Sequence, residues 1–311
     1  MGAPEDRFQH VHVPVLLKEV LSLLGCGPHE TYVDATLGGG GHTLEILKRT
    51  EPDGRVIAFE WDEEAIARAR EALNPFGDRV VILRENFVGL PDLLREMKIE
   101  YVAGILLDLG LSSIQLGSPE RGFSFKGEGP LDMRMDQRLE TTAAKLVNES
   151  SPEQLEHVLR KFGEERWAKR IANALAEERR RGPIKTTEVM RKVIYGAIPH
   201  RFQSRRIDPV TRTFQALRIW VNSELDNLQR VLETGWPLLK EGGRICVISF
   251  HSLEDRIVKE TFRRLERGKP GDRSSEGAMR IITRKPVTPS EKERRENPRC
   301  RSAKLRCAER V

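Results

Sequence analysis

Four consecutive glycines, Gly38 to Gly41, follow the short apolar segment Tyr32-Val33 and lead through His42 into a helical pattern. Glycine has no Cβ, so a ligand can approach the backbone of such a turn closely. The exposed N–H groups at the start of the helix favour negative or carbonyl oxygens of that ligand. A tight strand-to-helix turn without a ligand is the alternative, but such a turn needs one glycine rather than four.

The spacing of these glycines does not match two common phosphate-binding motifs. In the dinucleotide motif G-x-G-x-x-G, counted from Gly38, the third glycine position is Thr43, and the phosphate loop requires a lysine that this segment lacks. What remains is a cofactor with a ribose and an amino-acid end but no pyrophosphate, which describes S-adenosylmethionine. Glu60 lies about twenty residues further on, where a carboxylate can accept both ribose hydroxyls. Asp62 competes for that role, or Glu60 serves only at a helix start.

Three further residues follow apolar segments and suit methyl transfer. Asp108 ends the segment 102–107, and open parallel sheets bind ligands beyond the carboxyl ends of their strands. Its carboxylate can bind the methionine end of the cofactor or accept a hydrogen bond from a target amine, unless it only caps a helix. His251 can orient a base or relay a proton, or it caps the next helix. Phe87 can cover the adenine, or it packs in the core.

Aromatic and basic residues indicate a nucleic-acid substrate. Phe123 and Phe125 can stack on a base flipped out of its helix, although packing on a helical domain competes with this role. A net charge of +6 and a pI near 9.2 favour a polyanionic partner. Arg299 and Arg301 belong to a basic segment at 292–306. A second basic group consists of Arg201, Arg205, Arg206 and Arg212. Such groups are often solvated faces, but here they favour phosphate contacts with a structured RNA.

Short apolar segments that alternate with helical patterns predict an α/β fold. Strands are expected at 32–33, 55–59, 80–83, 102–107 and 244–249. Helices are expected between them at 44–48, 63–73 and 90–97. This alternation predicts a Rossmann-like, mostly parallel sheet with helices on both faces.

The middle of the chain predicts an inserted all-helical substrate-recognition domain at 113–212, which makes the sheet domain discontinuous, 1–112 and 213–311. Its best helix start is a capping box formed by Ser151 and Gln154. One long helix is expected from 213 to about 239, and the chain is expected to close with a basic tail.

The composition argues against several other classes of protein. No secretory signal is visible, and the longest apolar run, 102–107, is too short to span a bilayer. The cysteines have no zinc-binding spacing and indicate reduced thiols. We therefore expect a cytoplasmic protein without a metal and without a membrane partner.

Distinctive motifs are spread over nearly the whole chain. They are HVPVLL, DATLGGGGHT, LLDLGLSSIQL, RGFSF, PLDMRMD, TRTFQALRIWVN, ISFHSLEDR, TRKPVTPS and ENPRCRSAKLR. These stretches resemble the bacterial ribosomal RNA small-subunit methyltransferase H family, formerly called MraW. The resemblance implies a class I S-adenosylmethionine-dependent methyltransferase fold with a helical insertion. It also implies N4-methylation of a cytidine in the decoding centre of 16S rRNA, on a largely assembled small ribosomal subunit.

The resemblance also assigns site residues. The cofactor contacts that it implies fall on Gly40, Gly41, His42, Glu60, Phe87, Asp108 and Gln115. Ser112, in the same motif as Gln115, is an expected substrate contact. The family commonly has aspartate at the position of Glu60, and the longer carboxylate should still reach the ribose. A Pro-Pro-aromatic signature is missing after the fourth strand, so the cytosine contacts cannot be copied from other amino-methyltransferases.

Two other functions are compatible with the same residues. One is a methyltransferase of this fold that acts on DNA or protein, and the other is a non-catalytic ribosome-assembly factor. The intact glycines and Asp108 argue against the second. The sequence is also compatible with a homodimer.

Overall fold

The computed structural model describes residues 14–203, 208, 210–267 and 277–311. These residues form one seven-stranded sheet with the order β3-β2-β1-β4-β5-β7-β6. Its strands are β1 (Thr31–Asp34), β2 (Arg55–Phe59), β3 (Val80–Leu83), β4 (Val102–Asp108), β5 (Leu239–Ser249), β6 (Met279–Ile281) and β7 (Lys304–Arg310). The five strands β1 to β5 are parallel to one another, and β7 is antiparallel to both β5 and β6.

Strand order reverses between β1 and β4, because β2 and β3 extend the sheet on one side and β5 on the other. Ligands of open parallel sheets bind at such a reversal, beyond the carboxyl ends of the strands. The topology confirms the predicted Rossmann-like methyltransferase fold. The last residues of the basic carboxyl-terminal segment form β7 inside the sheet, which the sequence analysis did not predict.

The chain divides into two compact units, one of Met1–Gly110 with Asn227–Val311 and one of Leu111–Asp226. Helices before the second unit are α1 (Leu17–Leu24), α2 (Gly41–Arg49), α3 (Glu63–Leu73) and α4 (Leu90–Glu96). The second unit contains α5 (Ser113–Gly117), α6 (Ala143–Glu149), α7 (Pro152–Gly163), α8 (Ala168–Arg181), α9 (Thr187–Ala197) and α10 (Val210–Asn222). The remaining helices are α11 (Glu224–Gly235), α12 (Ser252–Arg267) and α13 (Glu291–Glu296). The sequence boundary between the two units falls within α11.

Each face of the sheet is covered by a hydrophobic cluster of its own. Leu106 and Ile248 belong to the cluster with α1, α2 and α3, whereas Leu107 and Val247 belong to the cluster with α4, α11 and α12. Neighbouring strand residues thus point to opposite faces, and both faces are apolar. Burial on both sides explains the continuous apolar segments in the sequence and holds the strand ends in a fixed register.

The predicted helix from 213 to about 239 was wrong, because Ser223 interrupts it with a φ of 50°. Asn222 is buried there, donates to the Met133 carbonyl at 2.8 Å and accepts from the Met135 N–H at 2.7 Å. These bonds fix the end of α10, and a separate helix begins at Glu224.

The second unit also extends further along the chain than the predicted boundary at 212. Helices α7 and α10 pack closely, since a Cβ on Gly163 would lie 2.7 Å from the Arg212 carbonyl oxygen. The first turn of α7 has the predicted capping box, in which Ser151 accepts from the Gln154 N–H at 3.1 Å.

Candidate active site

The glycine run forms the turn between β1 and α2. Gly38 and Gly40 have φ values of 51° and 84°, which favour glycine because it has no Cβ. A Cβ on Gly40 would lie 3.3 Å from side-chain atoms of Ala69 and Leu73, so this glycine is needed for packing on α3. A Cβ on Gly39 would meet no atom within 4 Å. The turn therefore packs on one side and leaves an open backbone surface on the other.

Glu60 follows β2 and fastens the glycine turn to it. Its carboxylate accepts hydrogen bonds from the N–H groups of Gly38 at 2.9 Å, Trp61 at 2.9 Å and Asp62 at 3.0 Å. Burial raises the pKa of Glu60 to about 7, although the three N–H donors oppose this shift. Asp62 instead caps α3 by accepting from the Glu64 N–H at 3.0 Å. Because Asp62 is buried at this helix cap, Glu60 remains the predicted ribose acceptor.

Asp34 and Thr36 connect the turn to the middle of the sheet, and the sequence analysis did not single out either residue. Asp34 is fully buried and accepts from the Thr43 hydroxyl at 2.7 Å and the Thr36 N–H at 3.1 Å. Burial raises the pKa of its carboxyl. The Thr36 hydroxyl accepts from the Asp108 N–H at 2.6 Å, which ties the ends of β1 and β4 together. The available sequence signal was an acid at the end of the first strand, four residues before Gly38.

His42 and Asp108 face each other where the strand order reverses. The Nε2 atom of His42 lies 3.5 Å from an Asp108 carboxylate oxygen, with side-chain exposures of 6% and 19%. Within the described residues, no hydrogen-bond partner is found for either ring nitrogen of His42. The other carboxylate oxygen of Asp108 also has none there. Buried polar atoms without partners are costly, so a polar ligand that pairs with them would stabilise this arrangement. Together with the open turn and Glu60, they fit S-adenosylmethionine.

Aromatic rings lie beside this edge of the sheet. The ring centroids of Trp61 and Phe87 are 6.4 Å apart with planes inclined by 42°. Phe87 also packs against the hydrophobic cluster of α4, so packing and adenine contact are both compatible with its position. Trp61 was missed, although an aromatic residue directly after Glu60 marks the same strand end.

His251 lies at the end of β5 and pairs with the start of α12. Its Nε2 atom lies 2.7 Å from a Glu254 carboxylate oxygen, and its Nδ1 accepts from the Glu254 N–H at 3.4 Å. Glu254 in turn accepts from the Phe250 N–H at 2.7 Å and is only 2% exposed. The structure therefore favours the helix-capping alternative for His251 over that of a free proton relay.

Four predicted site residues lie in the second unit. Ser112 and Gln115 form a capping box at α5, in which the Ser112 hydroxyl accepts from the Gln115 N–H at 3.2 Å. Phe123 is buried, with 6% exposure, which favours packing over base stacking. Phe125 lies edge-on to Phe214 at a centroid distance of 5.3 Å. Of these rings, only the half-buried Phe125 keeps part of its surface for a ligand.

The basic residues at the carboxyl end divide into two groups. Lys304 and Arg306 bind Asp255 at 3.0 Å and 2.6 Å, so they hold β7 to α12. Arg299 and Arg301 are exposed in a short 3-10 turn, with no carboxylate within 4 Å in the part of the chain that the structure describes. In the other basic group, Arg205 and Arg206 lie outside the described residues, whereas Arg201 and Arg212 are exposed.

No helix among the described residues is long and apolar enough to cross a membrane. No three His, Cys, Asp or Glu side chains among them are grouped so that they could hold a metal ion.

Comparison with known proteins matches the chain to one family. The profile of the MraW methylase family matches residues 9–311. Ribosomal RNA small subunit methyltransferase H of Syntrophus aciditrophicus (strain SB) is 46% identical over 315 residues, which cover 99% of this chain and 100% of the relative. The protein of the same name from Geotalea daltonii is 50% identical over 307 residues, covering 96% of this chain and 98% of the relative.

Proposed function

The chain belongs to the MraW methylase family, and on that basis we propose that it methylates 16S rRNA with S-adenosylmethionine. The target that we propose is the exocyclic N4 amine of a cytidine in the decoding centre of the small ribosomal subunit. The relatives are named for methylation of small-subunit ribosomal RNA. The observation that carries the proposal for this chain is the partly buried Asp108 carboxylate, which has an unpaired oxygen beside the open glycine turn. We expect this activity in the cytoplasm.

The chain's own residues would hold the cofactor by its two ends. Bound S-adenosylmethionine supplies a methyl group on a sulfonium, which a weak nucleophile can attack directly. Glu60, fixed by three N–H groups, would accept the ribose hydroxyls. The open face of Gly38 and Gly39 and the unpaired atoms of His42 would take the amino-acid end.

Asp108 would act on the target amine. The nitrogen of a cytosine amine is delocalised into its ring, so it is a poor nucleophile until an acceptor draws its N–H bonds out of the plane. A carboxylate oxygen with no other partner can accept one of these N–H groups, orient the nitrogen and stabilise the positive charge that develops on it. The proton of the amine can leave late in the reaction, so the site does not need a general base with a pKa near neutral pH. His251 would keep the end of β5 in place through Glu254.

The test is nucleoside analysis of treated RNA. Small subunits from a strain that lacks the modification are incubated with the full chain and S-adenosylmethionine, and the 16S rRNA nucleosides are measured by mass spectrometry. We expect one N4-methylcytidine for each subunit. A methyl group on another nucleotide, on DNA or on ribosomal protein would contradict the target, and the absence of transfer would favour an assembly factor.

A further inference from the structure

An arginine–aromatic cluster lies on the surface of the second unit, and none of the cofactor residues belongs to it. It consists of Arg166, Trp167, Arg170, Arg201 and Phe202. Trp167 precedes the first turn of α8, and Phe202 ends the short 3-10 turn that follows α9. Their ring centroids are 5.2 Å apart with planes inclined by 44°.

The arginines of the cluster are stacked on these two rings. The guanidinium carbon of Arg166 lies 5.4 Å from the Trp167 centroid and 4.9 Å from that of Phe202. Arg170 lies 5.6 Å from the Trp167 ring, and Arg201 lies 4.8 Å from the Phe202 ring. Cation–π contacts of this kind restrict the arginine side chains while their N–H groups stay available.

The positive charge of the cluster is not neutralised within the described chain. No carboxylate among the described residues lies within 4 Å of Arg166, Arg170 or Arg201, and all three are exposed. Other arginines of the same unit differ, since Arg160, Arg180 and Arg181 pair with glutamates one turn away at 2.9 Å, 3.2 Å and 3.2 Å. Unpaired arginines held against rings are therefore a property of the cluster rather than of the whole unit.

The rings themselves are partly accessible. Phe202 is 38% exposed, and it is one of few large apolar side chains with such exposure among the described residues. If the cluster served only to hold the start of α8, we would expect the Phe202 ring to be buried. Exposed ring surface beside unpaired guanidinium groups instead matches two parts of one ligand, a flat base and a phosphate.

We propose that the arginine–aromatic cluster is an RNA-docking surface that binds a single-stranded or looped segment. The inference rests on the proposed function, because it assigns this surface to the RNA that carries the target nucleotide. Guanidinium groups would bind backbone phosphates, and Phe202 with the stacked arginine planes would contact unpaired bases. An acidic protein surface would use the arginines but would leave the ring without a partner.

The test measures RNA binding separately from catalysis. The full chain with Arg166→Ala, Arg170→Ala and Arg201→Ala is titrated with protein-free 16S rRNA at several salt concentrations. The matched control carries Arg160→Ala, Arg180→Ala and Arg181→Ala, which remove the same charge from the same unit. We expect the cluster variant to bind at least about ten-fold more weakly, with a salt slope lower by about 2. The control should stay within about two-fold of the parent chain.

Two further readouts keep failures distinguishable. Binding of S-adenosylhomocysteine tests the first unit. If the parent chain binds 16S rRNA but neither binds this ligand nor transfers a methyl group, the proposed function fails independently of the docking surface. Cluster and control variants that bind RNA alike would overturn the docking surface. So would a loss of affinity for intact subunits that protein-free RNA does not reproduce, because the contact would then be with ribosomal protein.

If the triple variant folds poorly, Phe202→Leu provides the test. We expect this variant to bind RNA about five-fold more weakly, and an unchanged affinity would contradict the proposal.

Discussion

The end of the parallel sheet and the arginine–aromatic cluster present opposite chemistry to a ligand. At the sheet end, the carboxylates of Asp34, Glu60 and Asp108 are buried or nearly so, and backbone N–H groups hold the first two in place. In the cluster, three arginines are exposed and held by rings. Attraction in the first region is short-ranged and little affected by salt, whereas in the second it is long-ranged and screened. The first suits one small ligand of fixed shape, and the second suits a long polyanion.

Replacement of Asp108 by asparagine is expected to have the largest effect. The change keeps the size of the side chain but removes the charge that would orient the amine, so kcat should fall about a thousand-fold. Stopped assays with labelled cofactor measure this, and S-adenosylhomocysteine affinity shows which step is affected. Asp92→Asn is the control, since Asp92 is 71% exposed and, among the described residues, pairs only with Arg95. Near-normal turnover of the Asp108 variant would remove this residue from the site.

A methyl group added to the glycine turn should act on the cofactor alone. Gly39→Ala meets no neighbouring atom within 4 Å, so the melting temperature should stay the same while S-adenosylhomocysteine binds about ten-fold more weakly. Gly27→Ala, which also meets nothing within 4 Å, is the control for an alanine in open space. Equal affinities of the two variants would show that the open side of the turn does not face the cofactor.

The pH dependence of cofactor binding should report Glu60. Its pKa of about 7 means that the folded protein keeps this carboxyl protonated until the pH rises through 7. Only the ionised form can accept both ribose hydroxyls, so the dissociation constant of S-adenosylhomocysteine should fall about ten-fold from pH 6 to pH 8. Calorimetry with the parent chain and with Glu60→Gln measures this. A slope that persists in the glutamine variant would assign the titration to a group other than Glu60.

The smallest effect is expected for the basic surface without rings. Arg299→Ala with Arg301→Ala removes two exposed cations from the first unit, and the salt slope of RNA binding should fall by about 1. This drop is smaller than that of the arginine–aromatic cluster, because two charges are removed rather than three and no ring holds them. An unchanged slope would show that this turn lies outside the RNA contact, and a larger drop than that of the cluster would reverse the order of the two surfaces.

The two regions also differ in how well the sequence predicts them. The glycine turn, Glu60 and Asp108 could be located because each is local, in that a strand ends and the next few residues carry the chemistry. The open face of Gly39 and the hydrogen bonds to Glu60 follow from the same short segments. The predicted bounds 55–59 and 80–83 match β2 and β3 for the same reason, since continuous apolar segments are needed for strands that are buried on both faces, whereas β5 begins at Leu239 rather than at the predicted residue 244.

What the sequence did not predict depends on contacts between distant residues. β7 lacks a continuous apolar segment, because Lys304 and Arg306 interrupt it. These two residues become compatible with a sheet through their ion pairs with Asp255 of α12. The break at Ser223 depends on bonds from Asn222 to residues almost ninety positions earlier. Trp167 and Phe202 likewise lie more than thirty residues apart, and only the packing of the second unit brings their rings together.

Hydrogen exchange on the full chain, with and without S-adenosylhomocysteine, tests the central claim most directly. If the end of the sheet is the cofactor site, the strongest added protection should fall in peptides that cover 35–42, 59–62 and 106–109. Backbone amides there form the glycine turn, the Glu60 bonds and the Asp108 link to Thr36. Binding without added protection in these three segments, or no binding by folded protein, would contradict the account.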